Sequence, residues 1–270
     1  MAGAKKSGGS GEVTLALDVG NTQTVIGAFE RHTLVLDWRI STDSKRTADE
    51  YRHLLHGFLA DGGIRPERCR RALVSSVVPP VTRALEGLSK DLELFVVDWR
   101  SPFSFTNRAR QPETVGADRL VNAEAALRLH GAPLIVVDSG TATTFCAINA
   151  EREYLGGAIA PGVSVAAEAL FARASRLANV DLRRPGQVIG DTTESALQSG
   201  IILGHAAMID GMVAMLRQEL TPGPAAKCIG TGGWMDVLGP LCKTLDAIEP
   251  DLTLLGLLWV WENATEARRQ

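Results

Sequence analysis

The chain has 270 residues, of which 45% are hydrophobic and 22% charged, and it carries a formal net charge of -3 with a pI near 6.0. That balance excludes a globally basic binder of nucleic acid or anionic membrane and favours a small-molecule partner. The length suits one large domain or two modest lobes, and the four cysteines (Cys69, Cys146, Cys228, Cys242) and five histidines show no zinc-ligand spacing.

Residues 1–12 are rich in Gly, Ser, Ala and Lys and lack the apolar centre of a secretory signal, so they read as a flexible tail. The apolar run 13–17 leads into Asp18-Val19-Gly20-Asn21-Thr22-Gln23-Thr24, and a second apolar run follows from Val25. This is a strand, a tight polar turn and a returning strand. Such a turn fits either an ordinary hairpin or a phosphate cradle, in which small residues admit backbone N–H groups to an anion and Asp18 holds the accompanying magnesium.

A third strand is expected over 33–40, and Thr47-Ala48-Asp49-Glu50 is a capping box that opens a helix stopped by Gly62-Gly63. Strands follow at 72–78 and 92–97, with a helix begun by Pro79-Pro80 between them. Residues 101–114 contain Pro102 and Pro112 and little periodicity, which predicts a connection between lobes. Val115-Gly116-Ala117-Asp118-Arg119 then opens an amphipathic helix closed by Gly131. The helix dipole favours Asp118 in that first turn but not Arg119, which calls for an anionic substrate group, a neighbouring carboxylate or plain solvent exposure.

The stretch 134–145 repeats the opening plan: Asp138 matches Asp18, Gly140 matches Gly20 and Thr144 matches Thr24, at a constant offset of 120 residues (138 minus 18). A duplicated lobe with two Asp/Gly/Thr turns toward one shared cleft is the simplest reading. Further on, a strand over 154–159, a helix over 163–177, an extended basic loop over 179–187 and a long helix over 195–220 are expected. Gly200, Gly204 and Gly211 on that helix suggest close packing of another backbone, and Met208, Met212 and Met215 suggest core or interface filling. Cys228-Ile229-Gly230-Thr231-Gly232-Gly233 reads as a strand ending in a glycine turn, and 251–264 as a closing helix. The apolar segment 254–261 within it is too short to span a bilayer.

Taken in order, Asp18-Val-Gly-Asn-Thr, Val115-Gly-Ala-Asp-Arg, Asp138-Ser-Gly-Thr-Ala-Thr-Thr, Gly156-Gly-Ala-Ile-Ala-Pro-Gly, Gln198-Ser-Gly and Thr231-Gly-Gly closely resemble the type III pantothenate kinases. The resemblance implies an α/β fold of two ribonuclease-H-like lobes of the actin-like ATPase type facing a nucleotide cleft, with lobes expected over 13–115 and 116–270. It implies ATP-dependent phosphorylation of pantothenate to 4'-phosphopantothenate, the first step of coenzyme A biosynthesis, in a cytoplasmic homodimer.

By the same resemblance, Asp18, Val19, Gly20, Asn21, Thr22, Gln23, Thr24 and Val25, with Thr141, Gly232 and Gly233, would bind ATP. Asp18 would hold magnesium with the nucleotide, and Asp138 a monovalent cation, K+ or NH4+. Asp118 would be the catalytic base, Gly116, Ala117 and Arg119 would line the pantothenate pocket, and Thr193 would reach in from the second subunit. Two departures stand out: Ser139 replaces a large apolar residue, and Ala109-Arg110-Gln111-Pro112 replaces an aromatic or aliphatic residue followed by Asp-Asn-Pro. The rival readings are a non-catalytic, transcription-accessory relative and a kinase of the same superfamily for another small hydroxylated substrate.

Overall fold

The computed structural model describes residues 11–173, 180–220 and 225–269, so most of the expected tail, the end of the helix expected over 163–177 and the start of the basic loop lie outside the described residues. In chain order the elements are β1 (Val13–Val19), β2 (Gln23–Glu30), β3 (Thr33–Ser41), α1 (Ala48–Asp61), β4 (Cys69–Ser76), α2 (Pro79–Glu86), β5 (Glu93–Val96), β6 (Thr106–Asn107) and α3 (Ala117–His130). They continue with β7 (Leu134–Ser139), β8 (Ala142–Ile148), β9 (Glu153–Pro161), α4 (Val163–Arg173), α5 (Thr193–Gln198), α6 (Gly204–Glu219), β10 (Lys227–Thr231), α7 (Met235–Leu238), β11 (Ala247–Ile248) and α8 (Leu252–Ala267).

The chain forms two compact units, each built on its own sheet. The first sheet has the order β3-β2-β1-β4-β5 and the second β11-β10-β7-β8-β9-β6. Apart from β6, the two orders are the same plan: three antiparallel strands (β1, β2, β3 and β7, β8, β9), then two strands parallel to the first of them. The internal repeat in the sequence is therefore a repeat of topology.

The division does not follow a single cut between residues 115 and 116. The first unit takes the described residues up to Ser104, then Gln111–Ala125, then Thr253 onward, and the second takes Phe105–Arg110 and Ala126–Leu252. The physical reason is the apolar side of α8. Leu254, Leu257, Leu258 and Val260 pack with Ala16, Phe29 and Leu73 of the first sheet, with Val97 just beyond β5, and with Ala117 and Val121 of α3. Each such side chain contributes about 1.5–3 kcal/mol on burial, enough to place the chain end with the first unit. Gly256 permits the approach, because a Cβ there would collide with the Val121 carbonyl oxygen.

The other face of the first sheet carries Val13, Leu15, Leu17 and Val19, covered by Tyr51, Leu55 and Leu59 of α1 and Val81 and Leu85 of α2. Alternate residues of β1 thus serve two layers, as period-two geometry requires. The capping box is present: the Thr47 side chain accepts from the Glu50 N–H, and Glu50 accepts from the Thr47 N–H. In the second unit Ile135, Val137, Phe145, Ile202, Ile209 and Val213 form the corresponding core. The helix expected over 195–220 starts at Thr193 and passes through a π-helical turn, Ser199–Leu203, between α5 and α6. Its span Thr193–Glu219 is long and apolar enough to cross a membrane by length and composition, yet Ile202, Ile209 and Val213 lie in the core.

Candidate active site

In the first unit, β1 ends by presenting Asp18, half-buried, beside a turn of Gly20, Asn21 and Thr22. The turn closes with the Gly20 N–H donating to the Gln23 carbonyl at 3.0 Å. Thr42, just beyond β3, braces it from the side: its N–H donates to the Thr22 carbonyl (3.0 Å) and its hydroxyl to the Gly20 carbonyl (2.7 Å), with Thr24 Oγ1 2.9 Å away. Val19 and Thr24 are buried, Asn21, Thr22 and Gln23 are exposed, and Val25 is half-buried. The exposed donors are those a phosphate group could reach, while Val19 and Thr24 hold the turn to the sheet.

The N-terminus of α3 lies at the same end of the first sheet. Val77, which follows β4 and donates its N–H to the Val19 carbonyl at 3.1 Å, lies 3.7 Å from where a Cβ on Gly116 would stand. That Cβ would also collide with Oδ1 of Asp118, so only glycine leaves the carboxylate its place. Asp118 Oδ1 is buried and makes no hydrogen bond among the described residues. Burial pushes the Asp118 carboxyl above the usual carboxylate range, against the smaller, opposing pulls of the Arg119 N–H and the Arg119 charge. Desolvation thus outweighs the first-turn N–H groups of Asp118 and Arg119 that favour the charged form, and raises the proton affinity of this carboxylate. Ala117 is buried, and Arg119 is half-buried on the first turn of the helix.

In the second unit the corresponding turn is shorter, Gly140-Thr141 alone, closed by the Gly140 N–H on the Ala142 carbonyl at 2.9 Å. The difference corrects the residue matching. Asp18 pairs with Val25 and Val19 with Thr24, but Asp138 pairs with Thr144 and Ser139 with Thr143. Thr24 therefore corresponds to Thr143, not Thr144, and both Thr24 and Thr143 are fully buried. The constant spacing in sequence hides one residue lost from the second turn.

Asp138, half-buried at the end of β7, lies beside Thr231 in the β7–β10 register. Gly232 follows with φ +96, and a Cβ on it would meet Asp138 Oδ1 and both the N and O of Ser139. The Ser139 carbonyl accepts from the Trp234 N–H at 3.1 Å. Thr141 is exposed, its carbonyl accepting from the Gly162 N–H at 3.1 Å, and Gly233 is exposed. Ser139 is fully buried with its hydroxyl 3.5 Å from Thr143 Oγ1, so this departure fills core rather than pocket. Ala109 is half-buried, and its N–H donates to Asn107 Oδ1 at 3.0 Å.

Thr193 is exposed as the first residue of α5, next to Thr192, whose side chain caps the helix through the Ser195 N–H at 3.1 Å. A Cβ added at Gly200, Gly204 or Gly211 would meet nothing within 4 Å, so these glycines serve no close packing among the described residues. Leu155, Ile159, Val188, Ile189 and Met215 of the same unit are exposed. Among the described residues no group of three or more His, Cys, Asp or Glu side chains could hold a metal ion. A lone carboxylate such as Asp18 suits a magnesium ion that keeps most of its waters and arrives on phosphates.

Two residues placed beside the first turn escaped the sequence. Thr42 had no signal beyond its place after a strand, and Ser75, the register partner of Asp18 on β4, lay inside an apolar run.

Residues 14–215 match the family described as type III pantothenate kinase. Among solved structures, the chain is similar to a Campylobacter jejuni protein described as a Baf family transcriptional activator (18% identity, 93% of this chain and 99% of that one, TM-score 0.59). It is also similar to the ethanolamine utilization protein EutJ from Carboxydothermus hydrogenoformans (13% identity, 94% and 91%, TM-score 0.54). A third likeness is to a Listeria monocytogenes protein described as an N-acetylmannosamine kinase (14% identity, 94% and 99%, TM-score 0.51). At these identities the structures establish the fold, that of actin-like ATPases and sugar kinases.

Proposed function

Since the chain belongs to the type III pantothenate kinase family, we propose that it transfers the terminal phosphoryl group of ATP to the primary hydroxyl of pantothenate, giving 4'-phosphopantothenate. The observation that carries the reading is Asp118: a carboxylate with one oxygen buried and unbonded, its proton affinity raised by burial, at a helix N-terminus beside Arg119. In the proposed reaction Asp118 orients the pantothenate hydroxyl and takes its proton late, because phosphoryl transfer is largely dissociative and relies on positioning. Arg119 meets the carboxylate of pantothenate, which accounts for a cation in the first turn of a helix.

The Asp18 turn holds the phosphates, and Asp18 holds magnesium that neutralises their charge. Thr141 contacts phosphate, and Gly232 and Gly233 line the nucleoside. Asp138 holds K+ or NH4+. Support for a cation at Asp138 is the carboxylate itself at the end of β7, against which Gly232 lays bare backbone with no side chain to compete for it. The enzyme works as a homodimer in the cytoplasm. Support for the dimer is the exposed apolar surface of the second unit, where Val188 is 74% and Ile189 82% exposed near Thr193, which would complete the partner's pantothenate pocket.

The test is a coupled assay of ADP release with pantothenate, magnesium and either potassium or sodium. Turnover that needs potassium and selects pantothenate over a panel of small hydroxylated compounds is the expected result. No preference for pantothenate would move the assignment to another substrate of the same kinase fold, and no turnover at all would favour a non-catalytic role.

A further inference from the structure

Ser75 is fully buried, and its hydroxyl oxygen makes no hydrogen bond among the described residues. A buried hydroxyl without a partner costs about 1–3 kcal/mol, so its presence inside the apolar run of β4 calls for a reason. Its neighbour Ser76 shows what a structural serine does here: Ser76 Oγ accepts from the Val78 N–H at 3.2 Å and from the Thr82 hydroxyl at 2.8 Å, bracing the start of α2. Ser75 does nothing of the kind.

Its place on the sheet supplies the reason. β1 and β4 are parallel with Asp18 opposite Ser75, so the two side chains rise from the same face on strands about 4.8 Å apart. On that face of β4, Leu73 packs with Ala16 and Ala117 on one side of Ser75, and Val77 lies against Gly116 on the other. The hydroxyl therefore lies on the side of the sheet that carries the Asp18 carboxylate and packs against the first turn of α3, where Oδ1 of Asp118 is likewise buried and without a hydrogen bond among the described residues.

We propose that Ser75 is a positioning residue for Asp18, its hydroxyl hydrogen-bonding to the carboxylate and to the hydration shell of the magnesium that Asp18 holds when nucleotide is bound. The inference rests on the nucleotide half of the proposed function and not on the identity of the acceptor. Partners outside the ligand shell of this kind fix the direction of a metal-bound carboxylate, and their loss typically weakens metal affinity by about 10–100-fold.

The test compares the unsubstituted protein with Ser75→Ala and Ser75→Cys, measuring by calorimetry the binding of a non-hydrolysable ATP analogue with and without magnesium. Thermal midpoints of the ligand-free proteins serve as the folding control. Removing an unpaired hydroxyl orphans no partner, so Ser75→Ala should keep or raise the midpoint. The expected result is that the magnesium-dependent tightening falls by about 10-fold or more in both variants while magnesium-free binding is unchanged. Cysteine fills the site at least as fully as serine but donates weakly, so normal binding by Ser75→Cys with loss in Ser75→Ala would make the role one of packing and overturn the proposal. Normal magnesium-dependent binding by both variants would overturn it directly. Absence of magnesium-dependent binding in the unsubstituted protein would overturn it together with the kinase reading, whereas binding without turnover of pantothenate would remove only the substrate.

Discussion

In the first unit the Asp18 turn spans three residues and leans on Thr42, a side chain; in the second the Asp138 turn spans two and leans on the backbone of Gly162 and the bare face of Gly232. The sheets beneath them share one strand order, so topology alone does not set what each turn can do. The longer turn leaves Asn21, Thr22 and Gln23 exposed as donors, as a polyphosphate requires. The shorter one draws Gly232 against Asp138 and Ser139 so closely that no Cβ fits, which leaves the Asp138 carboxylate bordered by backbone instead of a side chain. The first unit also carries Asp118, whose carboxyl is raised by burial above the usual carboxylate range, and the proposed proton chemistry lies in that half of the repeat.

Asp118→Asn is the largest break in that asymmetry. Turnover in the coupled assay should fall by about 10²–10⁴-fold, the range for a positioned acid or base. The rate of the unsubstituted enzyme should rise with pH through a value above the usual carboxylate range, since the base must be ionised. Stability runs the other way. A carboxyl whose folded pKa is raised contributes most below its unfolded pKa, and that contribution is lost as pH rises through the folded value. Asparagine does not ionise, so the midpoint of Asp118→Asn should exceed that of the unsubstituted protein at neutral pH, by a margin that shrinks toward acid. An inactive variant with a lower midpoint at every pH would show that Asp118 holds the fold instead.

Glycine substitutions sharpen the contrast between the turns. Gly232→Ala forces a side chain into φ +96 and against Asp138 and Ser139, which should cost about 1–3 kcal/mol of stability and abolish the potassium response. At Gly20 the nearest atom to an added Cβ is the Gln23 carbonyl oxygen at 3.1 Å, so Gly20→Ala should cost under about 1 kcal/mol. Chemical denaturation of the two variants reads the difference, and equal losses would erase it.

The carboxylates themselves divide by salt. Asp138→Asn should reduce the rate in potassium to the rate in sodium, leaving the sodium rate unchanged, whereas Asp18→Asn should lose the rate in both. Identical salt responses from the two variants would mean that the turns do not have separate tasks.

The repeat was legible because Asp-x-Gly after an apolar run survives in both halves, and Thr47-Ala48-Asp49-Glu50 was legible because a capping box is a local pattern. Where the division into units failed, the cause was nonlocal. α8 is apolar on most of its surface, and its sequence does not say which sheet it will cover, so Leu254 and Leu257 could be placed only by seeing Phe29 and Leu73 against them. β6 pairs with β9 through only Thr106 and Asn107, too short a run for alternation to register. The matching of Thr24 with Thr144 failed because a one-residue shortening of a turn leaves the spacing of Asp, Gly and Thr intact while shifting the register.

That register shift carries the smallest prediction. Thr24 and Thr143 are equivalent and equally buried, but their hydroxyls differ in use. Thr24 Oγ1 lies 2.9 Å from Thr42 Oγ1, which in turn donates to the Gly20 carbonyl, so the pair forms part of the brace on the phosphate turn. Thr143 Oγ1 is 3.5 Å from Ser139 Oγ, too long for a bond of consequence. Thr42→Val keeps the shape and removes the hydroxyl, leaving the Gly20 carbonyl without that donor; it should cost about 1 kcal/mol and raise the KM for ATP several-fold. Thr143→Val should change stability by less than about 0.5 kcal/mol and leave the KM for ATP unchanged. Should Thr143→Val prove the more damaging of the two, the turn in the second unit would be held by side chains after all, and the division of labour between a braced phosphate turn and a backbone-packed cation turn would have to be given up.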